Sequence, residues 1–182
     1  MTVAEYAEVE EPVGSFYELC QGAVVASPWP SPEHQMARAE LREQVHSCLP
    51  AGLLAIPGVD VDLCLVKPHG PGTVRRPDIV VIDTAAYRRV DSEWKLLRAD
   101  EVRLAVEIMS ARTRHADQVV KRAEYAEAGI GHYWLVDLDA PVSLLPMRLV
   151  DDLGYVEDGE VTGDGAVGWP FPVRLKLDEL VR

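Results

Sequence analysis

Cysteine is scarce in this chain, with three residues among 182, Cys20, Cys48 and Cys64, widely spaced and set among apolar neighbours. There is no CxxC and no histidine at metal-ligand spacing, which excludes a disulfide framework and a thiolate zinc site and predicts buried free thiols. Long hydrophobic runs are missing too. None approaches the roughly 20 apolar residues needed to span a bilayer, and the opening MTVAEYAEVEEP is acidic where a signal peptide is basic and then apolar. The expected location is therefore cytoplasmic, with no membrane partner. A GxSxG elbow, a GxxxxGK[ST] loop and a GxGxxG helix start are all absent, so acyl hydrolysis, P-loop and dinucleotide chemistry have no anchor. Basic charge is in short supply, 18 Lys and Arg against 30 Asp and Glu for a net charge of −12. That excludes a nucleic-acid binder held by a broad basic surface.

What is present suits one globular domain over 1–182, because a chain this long with 48% hydrophobic content buries a sizeable core. Residues 1–12, polar and ending in Pro12, read as a loose arm or short helix. Phe16 to Val25 reads as a helix end, a turn at Gly22 and a first strand stopped by Pro28 and Pro30. Ser31-Pro32 starts a helix running to about Leu49. Its core stripe is Ala37, Leu41, Val45 and Cys48, and His34 falls on the same inward side. Leu53 to Val66 alternates as one strand, with Asp60 and Asp62 on its polar side. Tyr87 to Glu101 reads as a polar loop with a short strand, carrying Arg88, Arg89, Lys95 and Arg98. Late strands are expected at Val142 to Val150 and Val167 to Leu175, around a turn-rich stretch from Gly154 to Gly165.

The stretch from Arg75 to Lys121 carries the chemistry. Asp78 stands at the mouth of Ile79-Val80-Val81-Ile82, a β-branched run suited to a strand buried on both faces. Glu107 interrupts a second apolar run, Leu104 to Met109. Ionised carboxylates in such strands are costly unless paired, and two of them invite a shared cation. A helix follows Ser110 and ends at Gly129. Its aliphatic stripe, Ala116, Val119, Val120, Ala123 and Ala126, is expected to meet the sheet, leaving Arg114, Asp117, Lys121 and Tyr125 on the other side. His132 to Val136 is a further strand, parallel to that of Glu107 because a helix crosses between them. Basic charge is concentrated here: Lys67 to Tyr125 holds twelve Lys and Arg against nine Asp and Glu.

Pro77-Asp78 followed by Glu107 within a strand resembles the PD-(D/E)xK nuclease superfamily. More narrowly, Arg76, the run from Glu107 to Ser110, Asp117, Lys121, Tyr125, Gly129 and His132 to Asp137 resemble the Uma-type family of bacterial endonucleases. So do Tyr17-Glu18-Leu19, Gly22, Ser31 to His34 and Leu177 to Leu180, which together span most of the chain. The resemblance implies a restriction endonuclease-like α/β (α+β) core, a mixed central β-sheet flanked by helices with extra carboxy-terminal strands. It implies an Mg²⁺-dependent (or Mn²⁺-dependent) DNA endonuclease in which Asp78, Glu107 and the Ile108 backbone carbonyl hold the metal. Where the superfamily places its lysine this sequence has Met109, and the resemblance moves that role to Lys121. His34, Glu18 and Tyr125 are accessory candidates, and Arg75 and Arg76 candidate phosphate contacts, with the Arg88 to Arg98 cations also in reach of phosphates. Double-strand cleavage and the apolar segment Trp169 to Val173 suggest a homodimer. The alternative is a non-catalytic module on the same fold that binds nucleic acid or a protein partner, favoured by Met109 and the acidic surface.

Overall fold

The computed structural model describes residues 1–11, 13–93 and 96–181; Pro12 of the expected arm and Lys95 of the expected basic loop lie outside them. In chain order the helices are α1 (Val3–Tyr6), α2 (Pro32–Ser47), α3 (Thr84–Glu93) and α4 (Arg122–Glu127), the last preceded by a π-helical segment, Ala116–Lys121. The strands are β1 (Ser15–Cys20), β2 (Ala23–Pro28), β3 (Leu53–Pro57), β4 (Val61–Asp62), β5 (Val74–Arg75), β6 (Ile79–Asp83), β7 (Leu97–Arg98), β8 (Val102–Met109), β9 (His132–Asp137), β10 (Ser143–Val150), β11 (Gly154–Glu157), β12 (Val161–Thr162), β13 (Asp164–Val167) and β14 (Val173–Lys176).

The central sheet runs β11-β10-β9-β8-β6-β3, with β12 also paired to β10. β8 and β9 are parallel, as the intervening helix requires, and the other pairs are antiparallel. Alternate residues of the strands face two cores. Ile79, Val81, Leu104, Val106 and Ile108 meet α2 and the carboxy-terminal β13–β14 hairpin. Val80, Ile82, Ala105 and Met109 meet Tyr125, Tyr133 and Leu135 on the other side. Each β-branched run is therefore buried on both faces, as its composition suggests. A smaller second sheet, β2-β1-β5-β4-β7, packs Tyr6, Leu19 and Val74 beside it.

Several local expectations are corrected. Phe16 to Cys20 is a strand, hairpinned to β2 across Gln21-Gly22. Of the two readings of the amino-terminal residues, a loose arm or a short helix, the helix is the one found: Thr2 caps α1, and the buried Tyr6 hydroxyl donates to the Tyr17 carbonyl at 2.8 Å. Leu53 to Val66 divides into β3 and β4, which join different sheets. Asp60 is not solvent decoration, because Arg76 donates two hydrogen bonds to its carboxylate at 2.6 and 3.0 Å. Tyr87 lies in a helix, α3, and Arg89 there pairs with Glu101. All three cysteines are free, but Cys20 and Cys48 are only half-buried and Cys64 is exposed. The apolar segment that suggested a dimer surface turns inward, Phe171 and Val173 joining the core while Trp169 stays exposed. No helix among the described residues is long and apolar enough to cross a membrane.

Candidate active site

Two strands position the acids. Ile79 of β6 pairs with Val106 of β8, so one further step along the antiparallel ladder places Asp78 across from Glu107. Both share the parity of Val80 and Ala105, the face on which the π segment and α4 lie. Asp78 Oδ2 accepts the Ile108 backbone N–H at 2.8 Å and stands 3.3 Å from His34 Nε2. That same Nε2 lies 2.9 Å from the Ile108 carbonyl oxygen. His34 is held charged more readily than an ordinary histidine: burial opposes its cation, but the hydrogen bond and charge of Asp78 outweigh burial. Neither Arg76 nor Arg103 pairs with Asp78; they bind Asp60 and Asp83.

Glu107 is buried. Its Oε1 accepts from Lys121 Nζ at 2.9 Å and from the Tyr125 hydroxyl at 2.7 Å. Lys121 Nζ is also 3.2 Å from Asp117 Oδ1 and 3.8 Å from Glu18 Oε1, so three carboxylates surround one ammonium. The helix expectation is thereby reversed. Asp117 and Lys121 are 1% and 7% exposed, whereas Val119 and Val120 of the supposed core stripe are 53% and 38% exposed. An α-helix advances about 100° per residue, so a four-residue step overshoots a full turn by about 40°. The wider π turn makes the step from Asp117 to Lys121 fall short of a full turn where the α-helical step from Lys121 to Tyr125 overshoots it, so the three stay in line on the sheet side. Tyr133 of β9 anchors the segment by donating to the Asp117 carbonyl at 2.9 Å, and Tyr125 packs edge-on against Tyr133.

Behind this lies a second buried layer. Arg75 grips both oxygens of Glu124 at 2.7 and 2.8 Å and reaches Glu18 Oε2 at 3.2 Å. Glu18 Oε1 accepts the Arg76 N–H at 2.9 Å. Arg75 and Arg76, expected to face phosphates, are thus both engaged inside the protein, Arg76 with Asp60 and Glu11. On sequence Glu18 has an accessory place, Asp117 falls on the helix side turned away from the sheet, and Glu124 has no role. Two signals point to Asp117, its place in the family resemblance and a tyrosine that continues its four-residue spacing, since a surface face has no use for a buried aromatic.

Counting the layers together, the cationic side chains that pair with Glu18, Glu107, Asp117 and Glu124 among the described residues are Lys121 and Arg75. The surplus negative charge shows in the ionisation. Burial pushes the Glu107 carboxyl well above the usual range; Lys121 opposes this, while Asp117, Asp78 and Glu18 add to it. Asp117 is raised as well, chiefly by burial. Lys121 is desolvated, yet its three carboxylates more than compensate and hold it cationic. Among the described residues neither Asp117 carboxylate oxygen has a hydrogen bond of good geometry, although Lys121 Nζ stands 3.2 Å from Oδ1 and both Lys121 and Thr113 act to lower its pKa. A divalent cation fits such a place, because hard oxygens with unspent negative charge are what Mg²⁺ and Mn²⁺ take. Among the described residues no three His, Cys, Asp or Glu side chains converge to hold a metal by themselves. The donors would be Asp78, Glu107 and the Ile108 carbonyl, completed by water.

The fold and these residues define a restriction endonuclease-like protein, and the chain belongs to the Uma2 family, described as "Putative restriction endonuclease", whose model matches residues 3–162. Its structure is similar to the crystal structure of a putative nuclease belonging to DUF820 from Anabaena variabilis ATCC 29413. The two are 17% identical, and the likeness covers 99% of this chain and 97% of that one with a TM-score of 0.68, a shared fold. No curated protein matches the chain in sequence.

Proposed function

We propose that this protein is a metal-dependent endonuclease that hydrolyses phosphodiester bonds in DNA. The observation that carries it is the convergence of Asp78, Glu107 and Lys121 on one face of two adjoining strands, with Lys121 Nζ 2.9 Å from Glu107. Asp78, Glu107 and the Ile108 carbonyl would hold Mg²⁺ or Mn²⁺. Such an ion, when bound, supplies Lewis acidity and lowers the pKa of water. Lys121 supplies the rest. Held cationic by its three carboxylates it cannot act as a base; it donates hydrogen bonds to the attacking water and offsets charge building on the phosphate. Tyr125, kept neutral by burial, fixes the Glu107 rotamer through its hydroxyl. Met109 packs into the core beside Tyr125, so the strand position where the superfamily carries its lysine is spent on packing.

The competing reading, a nuclease fold retained for binding, draws on Arg75 and Arg76, both engaged away from any phosphate. With those cations internal and a net charge of −12, DNA affinity should be weak. Cutting both strands of a duplex would call on a second copy of the chain.

Melting curves with and without Mn²⁺ test the metal site. A divalent ion that binds only the folded protein stabilises it by about 2.7 kcal/mol at a hundredfold excess over Kd. For a domain of this length that is a rise of roughly 5–10 °C in Tm. Asp78→Asn should show no such rise. A wild-type curve indifferent to Mn²⁺ removes the metal-site reading.

A further inference from the structure

Three segments lead from the candidate active site to one pair of aromatic rings. On β1, Phe16 lies two residues from Glu18 and so on the same face, and Glu18 Oε1 stands 3.8 Å from Lys121 Nζ. Ahead of β6, Arg76 lies two residues before Asp78, and its guanidinium sits over the Phe16 ring at 5.3 Å. Ahead of α2, Trp29 lies five residues before His34, whose Nε2 is 3.3 Å from Asp78 Oδ2. The rings of Trp29 and Phe16 are 5.7 Å apart. We propose that Trp29, backed by Phe16, stacks an unpaired base of the substrate beside the site, so that the protein acts on single-stranded DNA in preference to a duplex. This rests on the reading above that DNA is the substrate, and it includes the unpaired stretches that negative supercoiling favours in a plasmid.

Asp60 and Glu11 hold the Arg76 guanidinium, so it braces the Phe16 ring as a cation on an aromatic face. Trp29 leans on Phe16 at 52° and is 50% exposed. Its N–H donates to the Gly14 carbonyl at 3.5 Å, and Pro30 confines the residue before it to extended conformations. The indole is thus offered to solvent with little backbone freedom left to lose on binding. Same-face neighbours on a strand are about 7 Å apart, and a nucleotide step is roughly 3.4 Å. The rings therefore lie within a few nucleotides of a phosphate held at Lys121. Charge selects the same substrate class. With a net charge of −12 and Arg75 and Arg76 turned inward, the phosphates of a duplex find little to bind. Stacking needs no cation, because every base has a π-face, but a base inside a duplex keeps that face covered.

Fluorescence anisotropy of a labelled single strand of about twelve thymidines, read on the intact chain in a chelator so that nothing is cut, tests this. The single strand should bind at least about tenfold more tightly than a duplex of the same length, and than an abasic strand with the same phosphates. Its affinity should hold or rise as salt goes from about 50 to 200 mM, because screening weakens only the repulsion between an acidic chain and DNA. Trp29→Ala should lower it by roughly five- to a hundredfold, the range for one stacked base, and Trp29→Phe by less than about threefold. If Trp29→Ala does not fold, the abasic comparison on the wild type decides alone. Equal affinity for the abasic strand or the duplex, no binding at all, or unchanged binding by Trp29→Ala overturns the proposal. So does a wild type that sediments as a dimer where Trp29→Ala is a monomer, which gives the rings to a second copy of the chain. Cleavage reads separately. Trp29-dependent binding with no nicking in Mn²⁺ leaves the base site standing and removes the nuclease reading, whereas nicking with no Trp29 effect does the reverse.

Discussion

Lys121→Met is expected to lower phosphodiester cleavage at least about a hundredfold, the usual scale for losing positioned acid–base or electrostatic assistance, while the protein still binds its cation. Methionine keeps the apolar stem that lies beside Tyr125 and deletes only the ammonium. The electrostatics set the sign of the second half. Lys121 is the cation facing Glu18, Glu107 and Asp117, so removing it leaves their charge less compensated. Divalent-ion affinity should then hold or rise as turnover falls. A residue that served only to brace the fold would lose Tm and metal response together. The check is a pair of readings on one preparation: cleavage rate at saturating Mn²⁺, and the Mn²⁺-induced shift in Tm. Activity above about a tenth of wild type would remove Lys121 from the chemistry, since positioned assistance is rarely worth so little.

Glu107→Gln should stabilise the metal-free protein at alkaline pH. Glu107 has a folded-state pKa raised above its ordinary value, so its contribution is fully present below the usual carboxylate range and is lost as pH rises through the raised value. Asp117 and His34 are shifted in the same direction and add to the same downward slope. Glutamine still accepts from Tyr125 and Lys121 through its carbonyl oxygen but carries no charge to desolvate. The Tm advantage of Glu107→Gln should therefore be largest at the alkaline end of the range and shrink as the pH is lowered and the wild-type carboxyl takes up a proton. The residual slope belongs to Asp117 and His34. A variant less stable than wild type by the same margin at every pH would mean that the Glu107–Lys121 pair is a net favourable contact.

Much of the fold was legible because the strands that bear the site are apolar on both faces. The runs at Ile79–Asp83, Val102–Met109 and His132–Asp137 declare themselves by composition, and Asp78 at the mouth of the first and Glu107 within the second stand out against it. His34 was legible by its seven-residue offset from Leu41, both facing inward on α2. The second sheet was not legible, because β4, β5 and β7 are two residues long and carry no periodicity. The instructive failure is the π segment. Letting the valines choose the buried face of Ala116 to Lys121 sends Lys121 to solvent, whereas the segment, anchored by Tyr133, turns Asp117 and Lys121 to the sheet and brings the lysine to Glu107. Hydrophobicity points the wrong way there because the buried partners are charges that satisfy one another. The same holds for Arg75 and Arg76, which look like phosphate contacts until Glu124, Glu18 and Asp60 are seen to hold them.

The most direct measurement is nicking of supercoiled plasmid by the pure wild-type protein in Mn²⁺, beside Asp78→Asn purified identically and beside wild type in a chelator. The site described here predicts relaxed plasmid from the wild type in Mn²⁺ alone. Equal nicking by Asp78→Asn, or nicking that survives the chelator, would contradict it.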